Sequence, residues 1–186
     1  LKNSDRGYAT DFIDLMKRII VDIKEKNIKI ITNAGGVNPK VCKNKLLELA
    51  KTLNVDIKVT IIKGDDILDS LEALMLKGVN FENMDDSSDF ELIKDKVYSA
   101  NAYIDSFSIA EALDTGADIV LAGRVSDPGL VVGPAIYEFG WKKDDYDHLA
   151  SATVAGHIVE CGAQCTGGNF SKWNSVESFD TIGYPI

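Results

Sequence analysis

Apolar side chains recur at three- and four-residue spacing through Phe12, Leu15, Met16, Ile19, Ile20 and Ile23, which predicts an amphipathic helix. Asn27 breaks the pattern. Residues 28–32 are a β-branched run read as a strand, and Asn33-Ala34-Gly35-Gly36-Val37-Asn38-Pro39 is the loop that leaves it. Pro39 suits a first helical turn with Asn38 as its N-cap, because the N–H that proline lacks is unpaired there anyway. Val41, Leu46, Leu47, Leu49, Ala50 and Leu53 carry a second helix. Residues 57–62 predict a second strand with Gly64-Asp65-Asp66 at its exit, and residues 67–76 a third helix stopped by Gly78. Residues 80–89 read as an acidic surface excursion, and residues 90–98 match no single period. Residues 106–113 predict a helix ended by Gly116, and residues 117–122 a buried strand that leaves through Gly123-Arg124-Val125-Ser126-Asp127-Pro128-Gly129. Two further helical segments cover residues 129–139 and 144–161. Residues 166–186 are weakly patterned.

Strands alternating with helices long enough to cross between them imply parallel pairing. The fold class is therefore α/β: a Rossmann-like layered domain, residues 1–186, with a mostly parallel sheet and helices on both faces. In open sheets of this kind ligands bind outside the carboxyl ends of the strands, which directs attention to the three exit loops.

Composition narrows the picture. The 186 residues are 45% apolar and 26% charged, unlike a disordered tail. Twenty Lys and Arg against 29 Asp and Glu give a net charge of -9, and no basic cluster suits a phosphate backbone, so nucleic acid is not an expected partner. The most apolar stretch, residues 117–139, is broken by Arg124, Asp127 and two prolines, which argues against a membrane span. The polar start carries no signal-peptide pattern, and three irregularly spaced cysteines make no disulfide framework, so a reducing, cytoplasmic setting is expected. The chain opens on Leu1 rather than Met and ends on Ile186, which suggests a fragment.

Each exit loop carries candidate chemistry. Asn33, Gly35 and Gly36 precede a helix start, where backbone N–H groups can approach an anion. The motif is neither Gly-x-Gly-x-x-Gly nor a Walker loop, so no nucleotide cofactor is indicated and the cofactor stays open. A tight strand-to-helix turn explains it equally well. The paired carboxylates of Asp65 and Asp66 can hold a divalent cation, accept hydrogen bonds from hydroxyls, or split into an acid and a base. Against this, Asp66 suits a helix cap and Asp65 plain solvation. Arg124 follows the most apolar strand and is expected near the edge of a buried sheet, where a guanidinium can grip a carboxylate or phosphate with two hydrogen bonds. Asp127 could orient it, serve as a base, or simply pair with it.

His157, Cys161 and Cys165 fall at four-residue steps, so one helix would place them on one face. A zinc site is one reading. Three ligands along a helix span about 12 Å at 1.5 Å per residue, too far for one ion, and the blander reading has His157 hydrogen-bonded and the cysteines buried. Cys161 as a nucleophile with His157 as its base is a further reading. Gly162 is a plausible helix cap, and Gly167-Gly168 a turn bearing Thr166 and Asn169.

Several of these motifs occur together in a known order. Gly123-Arg124-Val125-Ser126-Asp127, Val131-Val132-Gly133-Pro134-Ala135, and Gly156-His157-Ile158-Val159-Glu160-Cys161-Gly162-Ala163-Gln164 through Thr166-Gly167-Gly168-Asn169 resemble the acyclic terpene utilisation (AtuA-like) family. Asn33 to Pro39, Gly64-Asp65-Asp66 and Ala100-Asn101-Ala102-Tyr103 fit its earlier motifs. The resemblance runs from about Gly7 to Trp173. It implies that a glycine-rich segment belongs before Leu1 and a further portion after Ile186. Cys165 stands where the family usually has a small residue. The family takes its name from bacterial degradation of acyclic terpenes and branched acids, a route through acyl-CoA thioesters.

The expected function is a catabolic enzyme acting on a carboxylate or acyl-CoA, with a hydratase or lyase step as the leading reading. Arg124 would hold a carboxylate or phosphate. Asp65, Asp127 or Glu160 would do acid–base work. Asn33, Gly35, Gly36, Asn101, Ser126, Thr166 and Asn169 would bind the substrate, and no metal is assigned. Two alternatives stand beside it: a non-catalytic subunit or binding module that needs a protein partner, and a metal-dependent hydrolase using Asp65 and Asp66. A homo-oligomer is compatible with all three.

Overall fold

The computed structural model describes residues 5–166, 171–178 and 180. Three parallel strands, β1 (Ile30–Thr32), β2 (Val59–Ile61) and β3 (Ile119–Leu121), form a sheet in the order β1-β3-β2. Ile119 is the shared register point, opposite Ile30 on one side and Val59 on the other. The strands are shorter than the β-branched runs that predict them. The N–H of Ile28 turns back to the carbonyl of Ile23 and finishes the preceding helix rather than starting the ladder.

Helices α1 (Thr10–Glu25), α2 (Pro39–Thr52), α3 (Leu71–Leu76), α4 (Ser106–Asp114), α5 (Gly129–Phe139) and α6 (Tyr146–Cys161) account for the predicted helical segments. Their boundaries follow local chemistry. The Asn38 side chain accepts from the N–H of Val41 with Pro39 in the first turn of α2, and Asp105 does the same for Ser108 at the start of α4. Gly78, at φ +86°, lets the N–H of Val79 reach the carbonyl of Leu74 and closes α3. In the acidic excursion, Asn80, Asn83, Asp86 and Asp89 each accept from the N–H two residues on, so the segment is a chain of self-bonded turns. Residues 90–98 resolve into two single 3-10 turns, Phe90–Leu92 and Lys94–Lys96.

The period-two alternation of β3 divides the core. Ile119 and Leu121 face Met16, Ile20 and Ile23 of α1 and Cys42, Leu46 and Ala50 of α2. Val120 and Ala122 face Ile109, Ala112 and Leu113 of α4. The central strand is buried throughout, as its apolar run predicts, and helices cover both faces. Behind α4, Ala110, Val132, Ile136 and Ala152 join α4, α5 and α6 into a third apolar cluster. Gly133 permits that approach, since a Cβ there would meet Ile109 at 2.5 Å. Among the described residues, no helix is long and apolar enough to cross a membrane.

At the amino end of β3, the buried carboxylate of Asp118 accepts from the backbone N–H of Lys58 at 2.8 Å and pairs with Lys24 at 3.1 Å and Lys29 at 3.7 Å. Burial alone would raise its pKa; the Lys58 N–H and the two ammonium groups outweigh that and hold it below the usual carboxylate value. A depressed folded pKa gives stability that is fully present above the unfolded value of about 4 and is lost as pH falls through the folded value. Asp118→Ala also strands the Lys58 N–H. It is expected to cost about 1–3 kcal/mol at neutral pH. The gap to wild type, read from melting curves across pH, should narrow below about pH 4. A gap independent of pH would show that the charge contributes nothing.

Candidate functional site at the carboxyl edge of the sheet

Because the strands are parallel, all three leave the sheet at the same edge. The loop after β1 leads to α2 on one face, and the loop after β3 leads to α5, which packs on α4 on the other. Adjacent strands whose exits diverge leave a crevice between them, the usual ligand position in open α/β sheets. Gly35 sits at its base. A Cβ there would lie 2.6 Å from the carbonyl oxygen of Ala122 and 2.8 Å from Pro39 Cβ, so only glycine lets the two exits touch. Gly36, at φ +53°, turns the chain against Gly7, whose carbonyl accepts from Val37 and Asn38.

Asp65 ties the other exit in. Its side chain is buried, and Oδ2 accepts from the backbone N–H of Arg124 at 2.8 Å and from Asn101 Nδ2 at 3.4 Å. Its backbone carbonyl accepts from the N–H of Ala102 at 2.7 Å. Ile104 continues the stitch by donating to the carbonyl of Arg124. Plain solvation, the bland expectation for Asp65, is overturned: the carboxylate is the internal knot of the loop cluster. Gly123 makes room for it, since a Cβ there would overlap Oδ2 and lie 2.6 Å from Cγ. Asp66 takes the capping role instead, with Oδ1 accepting from the N–H of Leu68 at 3.1 Å.

Arg124 departs from its expected placement near a buried edge. Its side chain is exposed, because β3 ends at Leu121 and the chain has left the sheet three residues later. Its guanidinium lies 4.5 Å from the ring centre of Tyr103, donates to the Tyr103 hydroxyl at 2.9 Å and stands 3.6 Å from Asp127. The Tyr103 hydrogen bond and charge, then Asp127 and Glu160, push its pKa further up, so it is a permanent cation. Glu160 thus belongs electrostatically to the same corner although it sits at the end of α6. Ser126 lies just behind, its carbonyl accepting from the N–H of Gly129.

A pocket of about 300 Å³ opens between the exits of β1 and β2, lined by Val37, Asn38, Pro39, Lys40, Lys63, Gly64, Asp65 and Asp66. Lys40 and Lys63 were not among the predicted site residues. Neither has an ion-pair partner among the described residues, and the first turn of α2 adds the positive end of a helix dipole. Tyr103 was missed as well, though it stands beside Asn101 in one of the quoted motifs. Asn33 is exposed at the end of β1 and belongs to the same edge.

The C-terminal candidates do not assemble as predicted. α6 ends at Cys161, and Gly162 at φ +51° turns the chain, so Cys165 lies in a separate 3-10 turn rather than on α6, and its thiol folds back to the carbonyls of His157 and Ile158. The two cysteines are not buried as the blander reading has them: Cys161 is half-buried and Cys165 exposed. His157 Nδ1 meets the carbonyl oxygen of Thr153 at 3.0 Å, as expected of a hydrogen-bonded histidine, and does not pair with Cys161. The Cys161 thiol instead donates to Glu160 at 3.1 Å, and that bond, with burial and the carboxylate charge, pushes its pKa up to about 11. A thiolate nucleophile is therefore disfavoured. Among the described residues, no three His, Cys, Asp or Glu side chains are grouped to hold a metal. Thr166 closes the 3-10 turn; its side chain and Asn169 lie outside the described residues.

Fold and edge together define an α/β protein with a mixed-charge loop cluster at the carboxyl ends of a parallel sheet. The family model for "acyclic terpene utilisation family protein AtuA" matches residues 1–186, and the chain belongs to that family. None of the curated proteins or solved structures compared with it matches.

Two outcomes test this geometry. Gly123→Ala should displace the Asp65 carboxylate and cost about 1–3 kcal/mol, with a lowered melting temperature; an unchanged melt would mean that Asp65 is free to move. In a Cys165→Ser background, Cys161 should react with iodoacetamide on the order of a hundred-fold slower at pH 8 than a free thiol, accelerating toward pH 11. Fast labelling at neutral pH would refute the Glu160 bond.

Proposed function

We propose that the protein is a catabolic enzyme of acyclic terpene or branched-acid breakdown that binds a carboxylate or acyl-CoA compound at the carboxyl edge of its sheet. One observation carries the reading. The buried Asp65 carboxylate ties the loop that bears the exposed Arg124 guanidinium to the loop whose pocket also holds the exposed Lys40 and Lys63. In a chain of net charge -9 such a convergence of cations is local and suits an anionic ligand.

A hydratase or lyase step fits this equipment. Such a step needs an anion anchor and a carboxylate to move a proton beside the acid or thioester carbonyl. In this reading Arg124 holds the acid group, with Tyr103 and Asp127 fixing the plane of its guanidinium. The pair Lys40 and Lys63 meets a second negative group, such as the phosphates of a CoA ester. Asp65, which lines that pocket, carries the proton, and Glu160 adds negative potential at the Arg124 corner. Asn33 and Asn101 orient the substrate by hydrogen bonds.

The partner-dependent module remains the second reading because of one feature. Phe139, Tyr146, Val154 and Val159 of α5 and α6 are all more than 60% exposed. The metal-dependent hydrolase has less to stand on, since Asp65 bonds Arg124 and Asn101 while Asp66 caps the turn before α3.

A thermal-shift screen separates these readings. At a hundred times its Kd, a ligand of the folded state adds about 2.7 kcal/mol, a rise of roughly 5–10 °C for a protein of this size. The rise is expected with a branched acid or its CoA ester, and it should be lost in Arg124→Ala. No rise with any acid or thioester would reject the enzyme reading and turn attention to the exposed α5–α6 face. A rise with magnesium or manganese alone would revive the hydrolase.

A further inference from the structure

A second cavity, an open cleft of about 360 Å³, is lined by Tyr103, Phe107, Val132, Ile136, Leu149 and Thr153 of α4, α5, α6 and the loop before α4. Its walls are largely apolar, and it falls in the size range of small-molecule sites. We infer that this cavity is the subsite for the hydrocarbon part of the substrate, so that the ligand is an amphiphile whose acid group rests on Arg124 and whose branched chain lies between α4, α5 and α6. The inference rests on the carboxylate-binding reading above and assigns a place to the hydrocarbon chain, which that reading does not locate.

Three features support it. Tyr103 belongs to both places: its hydroxyl accepts from the guanidinium while its side chain lines the cavity, so the anion anchor and the apolar walls are joined by one side chain. Next, the polar groups at the mouth are unspent. Ser106 and Ser126 both line the cavity; both are half-buried, and neither hydroxyl is spent on a hydrogen bond among the described residues. Both flank Gly129, where a Cβ would stand 2.9 Å from Ser126 Oγ and 3.6 Å from Ser106 Oγ. A side chain at 129 would crowd the space between these hydroxyls, and glycine leaves it open for an oxygen of the ligand. By contrast, the Thr153 hydroxyl is already used, donating to the carbonyl of Leu149. The free hydroxyls thus stand beside Gly129, the lining carboxylate Asp105 accepts from the Ser108 N–H and hydroxyl at the start of α4, and the remaining walls are mostly apolar, the mixture that suits an acid with a hydrocarbon chain.

The test compares two acids that share the anionic group and differ in the chain: dimethyloctanoic acid and propionate, titrated by NMR. Wild type should bind the branched acid at least about ten-fold more tightly, because only that chain buries apolar area in the cavity. Thr153→Phe and Leu149→Phe, placed on one wall at separate turns of α6, should each fill the cavity and reduce this preference to about two-fold or less while leaving propionate binding unchanged. Two variants guard against one failing to fold, and a melting curve identifies those that have folded. Arg124→Ala should weaken both acids alike. If folded filled variants keep the wild-type preference, the hydrocarbon subsite is refuted while the anion-binding reading stands. If wild type binds neither acid, the anion-binding reading fails and the subsite falls with it. Equal binding of both acids by wild type would also refute the subsite.

Discussion

The hydrogen bond from the backbone N–H of Arg124 to the Asp65 carboxylate is the constraint on which the carboxyl edge depends. A strand that ends in a buried position leaves backbone donors without ladder partners, and each must be satisfied. β3 ends at Leu121, and the donor two residues beyond its last ladder bond, the N–H of Ala122 to Thr32, is met by a side chain from the loop after β2. The same carboxylate draws in Asn101, and the backbone of residue 65 holds Ala102. Three segments distant in sequence thereby share one anchor. A neutral residue of similar shape keeps some of these bonds; an apolar residue loses both side-chain bonds and leaves the Arg124 N–H without its acceptor.

The helices and the general position of the site were legible from sequence because their signals are local. Period-3.6 spacing marks α1 and α2, the Asn38-Pro39 pair marks a helix start, and a six-residue apolar run marks the central strand. Parallel pairing then follows from strand–helix alternation and places three loops together. What sequence could not show depends on partners far along the chain. Asp65 and Arg124 are 59 residues apart, and the acceptor meets a backbone atom, which carries no residue-type signature. Arg124 was expected near-buried because the apolar run extends to Ala122, yet the paired strand stops a residue earlier and the chain turns outward. Lys40 and Lys63 look like any surface lysines until the fold brings them to one pocket. The cysteine pattern misled for a local reason: equal spacing implies one face only while the helix lasts, and a left-handed glycine at 162 ends it.

The exit of β3 forms a wall of the apolar cavity through Ser126, and the Arg124 N–H ties that exit to Asp65, which lines the lysine pocket. Their linings differ in kind, with lysines and a helix start on one side and α4–α6 side chains on the other. α6 is seated against that wall directly: a Cβ on Gly156 would meet Pro128 at 2.7 Å, so helix and loop are in van der Waals register. The shape of the apolar cavity is consequently set by the same loop that presents the guanidinium.

Asp118 and Asp65 stand at opposite ends of the central strand, and their partners differ. Asp118 is neutralised by two ammonium groups, whereas Asp65 is held by neutral N–H donors. About four residues of extended chain, roughly 13 Å, separate the two ends, far enough for changes at one to leave the other undisturbed. Lineages can therefore remodel the ligand end, loop by loop, while the opposite end keeps the scaffold standing. Divergence in what the protein recognises need not draw on the reserve that keeps it folded.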